Sequence, residues 1–294
     1  MDFILLLVII LVLNQMLLSR LADRFPFLSK KLLNGLFFYH LFFLGVYYVY
    51  AILEASDSFV YYVTAKNIGE DWDILRTSST HFIDNFSAIF VEFGLSYISM
   101  MLLYAWFGYI GFVYAYIYFK ENAPVNVMVF GKYDLLKVLL FLPNMHFWTV
   151  SLGKGALIFM GLMMFAYAVK IPHKRIITLL IGGFFVYKIR PAVMLFVLVG
   201  VMVGILTGRE RISKGIRVLV IIAAIGFLYA ASSTILAVAN LQNSEDLVTD
   251  FQQFSEVQSD RLEGSAGSGV GMSGYPLPFK FFTLWFRPLF VDSP

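Results

Sequence analysis

Cysteine is absent from the 294 residues, which excludes disulfides, thiolate nucleophiles and iron–sulfur ligation. Charge is scarce as well. Only 14% of residues are charged, against about 25% in a typical soluble domain, and a water-soluble globular domain is excluded on that ground. Nor is there a surplus of one sign: 22 Lys+Arg against 19 Asp+Glu leaves a formal charge of +3. That balance is too weak to hold a phosphate backbone, so nucleic acid is not an expected partner. Histidine is limited to four scattered residues, without metal-ligand spacing, and neither a metal nor another cofactor is expected. No internal repeat and no separate soluble domain can be traced.

What the chain has is apolar length, with 60% hydrophobic and 18% aromatic residues. Crossing about 30 Å of hydrocarbon takes roughly 20 apolar residues as helix. Stretches 3–18, 32–52, 96–119 and 218–238 meet or approach that length. Between 135 and 207 the apolar run is cut into four shorter pieces, at about 135–150, 156–169, 176–187 and 191–207. Basic clusters at 20–31, 120–137, 170–175 and 209–217 decide how these pieces thread, because Lys and Arg stay on the cytoplasmic side of short loops. An even number of spans between successive clusters gives eight spans with the N-terminus outside. The inner side then carries +10 and the outer side −7. The expected fold class is all-α: a polytopic integral membrane helical bundle of about eight spans, some short or broken, forming a single transmembrane domain over 1–294. Large outer loops are expected at about 53–95 and 239–294. The first segment lacks a basic n-region and a cleavage site and reads as a span, not a signal peptide. The chain stops at Pro294 with no returning span, which reads as a truncated C-terminus.

Eight basic residues fall on the outer side, against the orientation rule, and charges near membrane depth are functional candidates. Lys188 and Arg190 lie between two short helices, and His146 and Lys154 between the other two. Arg190 opens a helix, where the dipole disfavours a cation, and its planar fork suits phosphate oxygens. Lys188 also fits a snorkelling flank residue, and His146, in an apolar aromatic run, fits a structural histidine. Lys154 stands between Gly153 and Gly155, in a turn whose backbone N–H groups can meet an anion. Arg261, Lys280 and Arg287 add cations in the last loop. Asp84 and Glu92 are the acids placed to act as a base, Glu92 within an apolar stretch. The aromatic residues read mostly as lipid-facing and interfacial.

Four stretches together carry a resemblance. They are Leu142-Pro143-Asn144-Met145-His146-Phe147-Trp148 continuing to Gly153-Lys154-Gly155, then Arg190-Pro191, Gly94-Leu95-Ser96-Tyr97, and the run from Arg261 through the Gly/Ser segment to Phe286-Arg287-Pro288-Leu289-Phe290. They resemble Bacteroidetes-type O-antigen or exopolysaccharide polymerase-like membrane proteins. The pattern departs from that family at Gly155, where an acid is expected, and at Ala192, where a His is expected.

The resemblance implies a fold similar to GT-C glycosyltransferases and a bacterial inner (plasma) membrane location. It further implies polymerisation of undecaprenyl diphosphate-linked repeat units at the outer face, with membrane lipid and a chain-length regulator protein as partners. By that likeness Arg190, Arg261 and Arg287, supported by Lys154 and Lys188, bind the diphosphate, while His146 or Glu92 serves the acceptor hydroxyl. A glycan ligase using the same donor, a polysaccharide or lipid flippase, and a non-catalytic scaffold for envelope assembly are the alternatives.

Overall fold

A computed structural model describes residues 2–123 and 127–207, with isolated positions between 215 and 229. The described helices belong to one compact unit, Met1–Gly208. The expected span at 218–238 is described only at those isolated positions, and the outer loop at 239–294 with the cations Arg261, Lys280 and Arg287 lies outside the described residues.

Among the described residues, three helices are long and apolar enough to cross a membrane: α1 (Asp2–Arg24), α2 (Lys30–Leu53) and α5 (Tyr97–Asn122). Asp2 in the first turn of α1 and Arg24 in its last complement the helix dipole. Ser29 caps α2 by accepting a hydrogen bond from the Leu32 N–H at 3.2 Å. Helix α5 is the axis of the unit. It is buried over 72% of its apolar window, whereas α1 and α2 are buried over 17% and 28%. Those two helices turn apolar side chains such as Ile4, Leu5, Val12, Phe38 and Phe42 outward. An exposed apolar surface of that extent marks a membrane or partner face.

The chain runs back and forth between two ends. At the Asp2 end, the Ser96 N–H and the Ser99 hydroxyl donate to Asp2 Oδ2 at 2.9 and 2.6 Å, so α1 and α5 start together. At the Arg24 end, the Tyr116 hydroxyl donates to the Phe27 carbonyl at 3.0 Å, joining the far part of α5 to the α1–α2 turn.

The stretch expected as an outer loop at 53–95 holds two helices, α3 (Asp57–Ile68) and α4 (Ser79–Glu92). Ser56 caps α3 by accepting from the Ser58 N–H at 3.3 Å, and Gly69 ends it at φ 57°, a conformation glycine adopts without strain. Helix α4 buries Phe82, Ile83 and Ala88, and this amphipathic packing replaces the irregular loop.

The piece at 135–150 does not form one helix. After a short antiparallel pairing of β1 (Met128–Val129) with β2 (Tyr133–Asp134), it divides into α6 (Leu135–Leu140) and α7 (Pro143–Thr149). Pro143 supplies no N–H and pushes Leu142 out of helical conformation, with ψ 117°. The remaining helices are α8 (Lys154–Val169), α9 (Ile176–Ile189) and α10 (Pro191–Thr207).

The Arg24 end is held by one ion pair of good geometry. Both terminal nitrogens of Arg175 donate to Glu121, at 2.9 and 2.6 Å, and Nη1 also donates to the Tyr167 carbonyl at 2.6 Å. The guanidinium lies 3.8 Å from the Tyr167 ring centroid. Arg175 is buried, so removing its partner leaves an uncompensated charge. Glu121→Gln is expected to destabilise the detergent-solubilised protein by about 3 kcal/mol, read as a lowered thermal unfolding midpoint. An unchanged midpoint would show that the pair is a solvated surface contact.

Candidate functional site

Six polar side chains from four places in the chain come together at the Asp2 end. Asp57 and Tyr61 come from α3, Thr80 and Asp84 from the first turns of α4, Lys154 from the start of α8, and Arg190 from the turn between α9 and α10. Lys154 Nζ donates to Thr80 Oγ1 at 2.7 Å. Lys154 lies within electrostatic reach of Arg190, Asp57 and Asp84, and Arg190 also bears on Tyr61. His81 Nδ1 stands 3.8 Å from Asp84 Oδ2.

Local sequence explains these placements. The Arg190 N–H donates to the Val186 carbonyl at 2.9 Å, closing α9, and its own carbonyl accepts from the Val193 N–H at 3.0 Å, opening α10. Pro191 at the first position of α10 suits that turn. The guanidinium is thus fixed at its root and exposed at its tip. Lys154 follows a recessed turn in which the Leu152 N–H faces Met101 Sδ at 3.2 Å, one helical turn inside α5. Only glycine fits at 155, because a Cβ there would meet the Trp148 carbonyl oxygen at 2.3 Å. The glycine at 155 therefore has a packing cause.

Asp84 is buried, with 4% of its surface exposed. Burial raises its carboxyl above the usual range, and the nearby His81 and Lys154 charges oppose that shift. Burial also raises the Tyr61 hydroxyl, helped by the charges of Asp57 and Asp84, and keeps it a protonated donor. The site therefore combines two cations with a buried carboxylate that holds its proton more readily than a surface acid does.

The other expected site residues lie elsewhere. His146 is fully buried. Its Nε2 donates to the Leu140 carbonyl at 2.7 Å, and its ring stacks on Phe112 with centroids 4.2 Å apart. Because that carbonyl can only accept, the neutral His146 presents an unprotonated Nδ1. The contact of 2.7 Å between His40 Nδ1 and His146 Nδ1 is then a bond donated by His40. Both nitrogens of His146 are engaged inside the bundle, and it offers no face to an acceptor hydroxyl.

Glu92 is exposed and lines a separate cavity of about 480 Å³ with Lys66, Gly69 and Ser96. Lys188 donates to the backbone carbonyls of Leu75 and Thr77, to the latter at 3.1 Å. It fastens the α3–α4 connection to α9. Among the described residues no three His, Asp or Glu side chains come together in a metal-binding group.

Sequence reasoning missed Asp57, Tyr61, Thr80 and His40. Ser56 before Asp57 and the following Gly69 are helix-boundary signals that mark α3. Nothing in their spacing shows that α3 and α4 fold over Lys154. Comparisons with protein families, with curated proteins and with solved structures found no match.

Proposed function

We propose that the chain polymerises lipid-linked glycan repeat units at the outer face of a bacterial inner membrane, with the Asp2 end outside. The observation that carries this reading is the convergence of Lys154 and Arg190 beside the buried Asp84. The apolar outer faces of α1 and α2 support a membrane setting, and the basic clusters at the Arg24 end support a cytoplasmic position for that end. The eight-span topology belongs to this proposal.

The donor is a glycan joined through its anomeric carbon to undecaprenyl diphosphate. Lys154 and Arg190 hold the diphosphate, and Arg261 and Arg287 are assigned to the same anion. An acceptor hydroxyl oxygen attacks the anomeric carbon, and its proton passes to the Asp84 carboxylate. The bond from that carbon to the diphosphate oxygen breaks, and the electron pair leaves with the lipid diphosphate. The leaving group is already charged, so positioning and electrostatic stabilisation are the protein's main work. Asp84 takes the base role in place of His146 and Glu92.

The test is reconstitution of the full chain with lipid-linked repeat units, read as a ladder of products on a gel. Activity is expected to rise with pH as Asp84 ionises, and Asp84→Asn is expected to lower the rate by about 10²-fold and abolish that limb. Stability moves in the opposite sense. A carboxyl raised in the folded state binds more protons there than when unfolded. Stability is therefore greatest at or below the ordinary carboxylate range and falls as pH rises through the raised value. Asp84→Asn removes that fall. Products of unchanged length and pH profile in this variant would refute the base assignment, and translocation of intact repeat units without a ladder would identify a flippase instead.

A further inference from the structure

A second site lies at the opposite end of the bundle. A cavity of about 790 Å³ opens there between α2, α5 and α6, lined by Lys31, Lys120 and Lys137 together with Phe27, Tyr116 and Phe141. An adjoining apolar hollow of about 180 Å³ shares Lys120 and Asp134 and is walled by Phe119, Leu135, Leu136 and Leu139. We infer that this cavity binds the phosphate headgroup of an anionic membrane lipid, with the adjoining hollow taking the start of its acyl chain.

Three features argue for this ligand. First, the lysines come from three different helices, yet they line one space. The orientation rule requires cations at this end but not their convergence, and convergent basic pockets between helices suit lipid headgroups. Second, the three other polar side chains of the lining are engaged by the backbone, Tyr116 through its bond to the Phe27 carbonyl. Asp134 accepts from the Leu136 N–H at 3.1 Å to cap α6, and Ser29 accepts from the Leu32 N–H to cap α2. The neighbouring Lys30 donates instead to Ser19 at 3.2 Å. Third, cationic and apolar surfaces adjoin, and that combination matches an amphiphile better than a free anion. The site is independent of the catalytic proposal, since it shares no residue with the Lys154 and Arg190 cluster.

Gly35 lines the same cavity, and a Cβ built there meets nothing within 4 Å. Gly35→Phe therefore fills the space without disturbing the helix. The full-length protein in neutral detergent is titrated separately with phosphatidylglycerol, phosphatidylcholine, glycerol 3-phosphate and inorganic phosphate. Binding is followed by native mass spectrometry and by the shift of the thermal midpoint.

Phosphatidylglycerol is expected to bind at least tenfold more tightly than phosphatidylcholine. Lys31→Gln with Lys137→Gln is expected to weaken it about 25-fold, at roughly fivefold per lysine. Gly35→Phe is expected to abolish binding without lowering the lipid-free midpoint. The proposal is overturned if both variants bind phosphatidylglycerol like the native chain. Equally tight binding of glycerol 3-phosphate or inorganic phosphate would reassign the cavity to a soluble anion and overturn the lipid.

Discussion

Replacing Arg190 with Gln is expected to reduce polymer formation by about 10²- to 10³-fold, the scale on which loss of one preorganised donor to a developing anion is felt. Replacing Lys154 as well is expected to bring product to background. The exposed guanidinium is rooted between two helices by the Val186 and Val193 hydrogen bonds, so the variant removes charge without removing a fold contact. Arg190→Lys discriminates further. It keeps the charge but loses the planar fork, and an intermediate rate is expected if the guanidinium holds two phosphate oxygens. A rate equal to the native one in Arg190→Gln, in membranes containing the same amount of protein, would sink the diphosphate assignment. The Lys154→Gln variant must be read with one contact in mind. Its ammonium donates to Thr80 at 2.7 Å, so some of its effect arises from a shifted α4. Thr80→Ala separates the two, because it releases the same hydrogen bond while leaving both cations in place.

The described long helices were legible in the sequence because composition alone sets them. Residues 3–18, 32–52 and 96–119 map onto α1, α2 and α5, each apolar enough that no other structure satisfies its backbone in hydrocarbon. The broken run at 135–207 is legible as broken, but its first piece reads as one stretch, and Pro143 divides it into α6 and α7. The site was legible only in part. Lys154 and Arg190 announce themselves as cations on the side expected to be outside, a property read from each residue and the expected topology. Asp84, Tyr61 and Thr80 do not, since their importance comes from α3 and α4 lying beside the first residue of α8, with Thr80 and Lys154 bonded although 74 positions apart. His146 illustrates the converse. Its motif marks a buried residue correctly, yet only the structure supplies His40 as its partner, 106 positions away.

Enlarging Gly182 is expected to have the largest effect on the fold, and through it on the site. Helices α8 and α9 approach so closely that a Cβ on Gly182 would lie 2.7 Å from the Gly161 carbonyl oxygen and 2.8 Å from the Phe165 nitrogen. Both obstacles are backbone, so no side chain can turn aside, and the helices must separate. Alanine brings a helix-propensity gain of about 1 kcal/mol over glycine, but the overlap costs about 1–3 kcal/mol. A net loss is therefore expected for Gly182→Ala, and a loss beyond about 3 kcal/mol for Gly182→Leu. Gly35→Ala serves as the control. Its Cβ meets nothing, so the propensity term acts alone and the unfolding midpoint rises. If Gly182→Ala raised the midpoint as Gly35→Ala does, the close helix contact would be refuted. The consequence reaches function because α9 ends at Ile189, directly before Arg190. Separating α9 from α8, which begins at Lys154, moves the two cations apart. Gly182→Ala is accordingly expected to lower activity by more than its folded fraction accounts for, whereas Glu121→Gln, which loosens the other end, should lower activity only in proportion to folded protein.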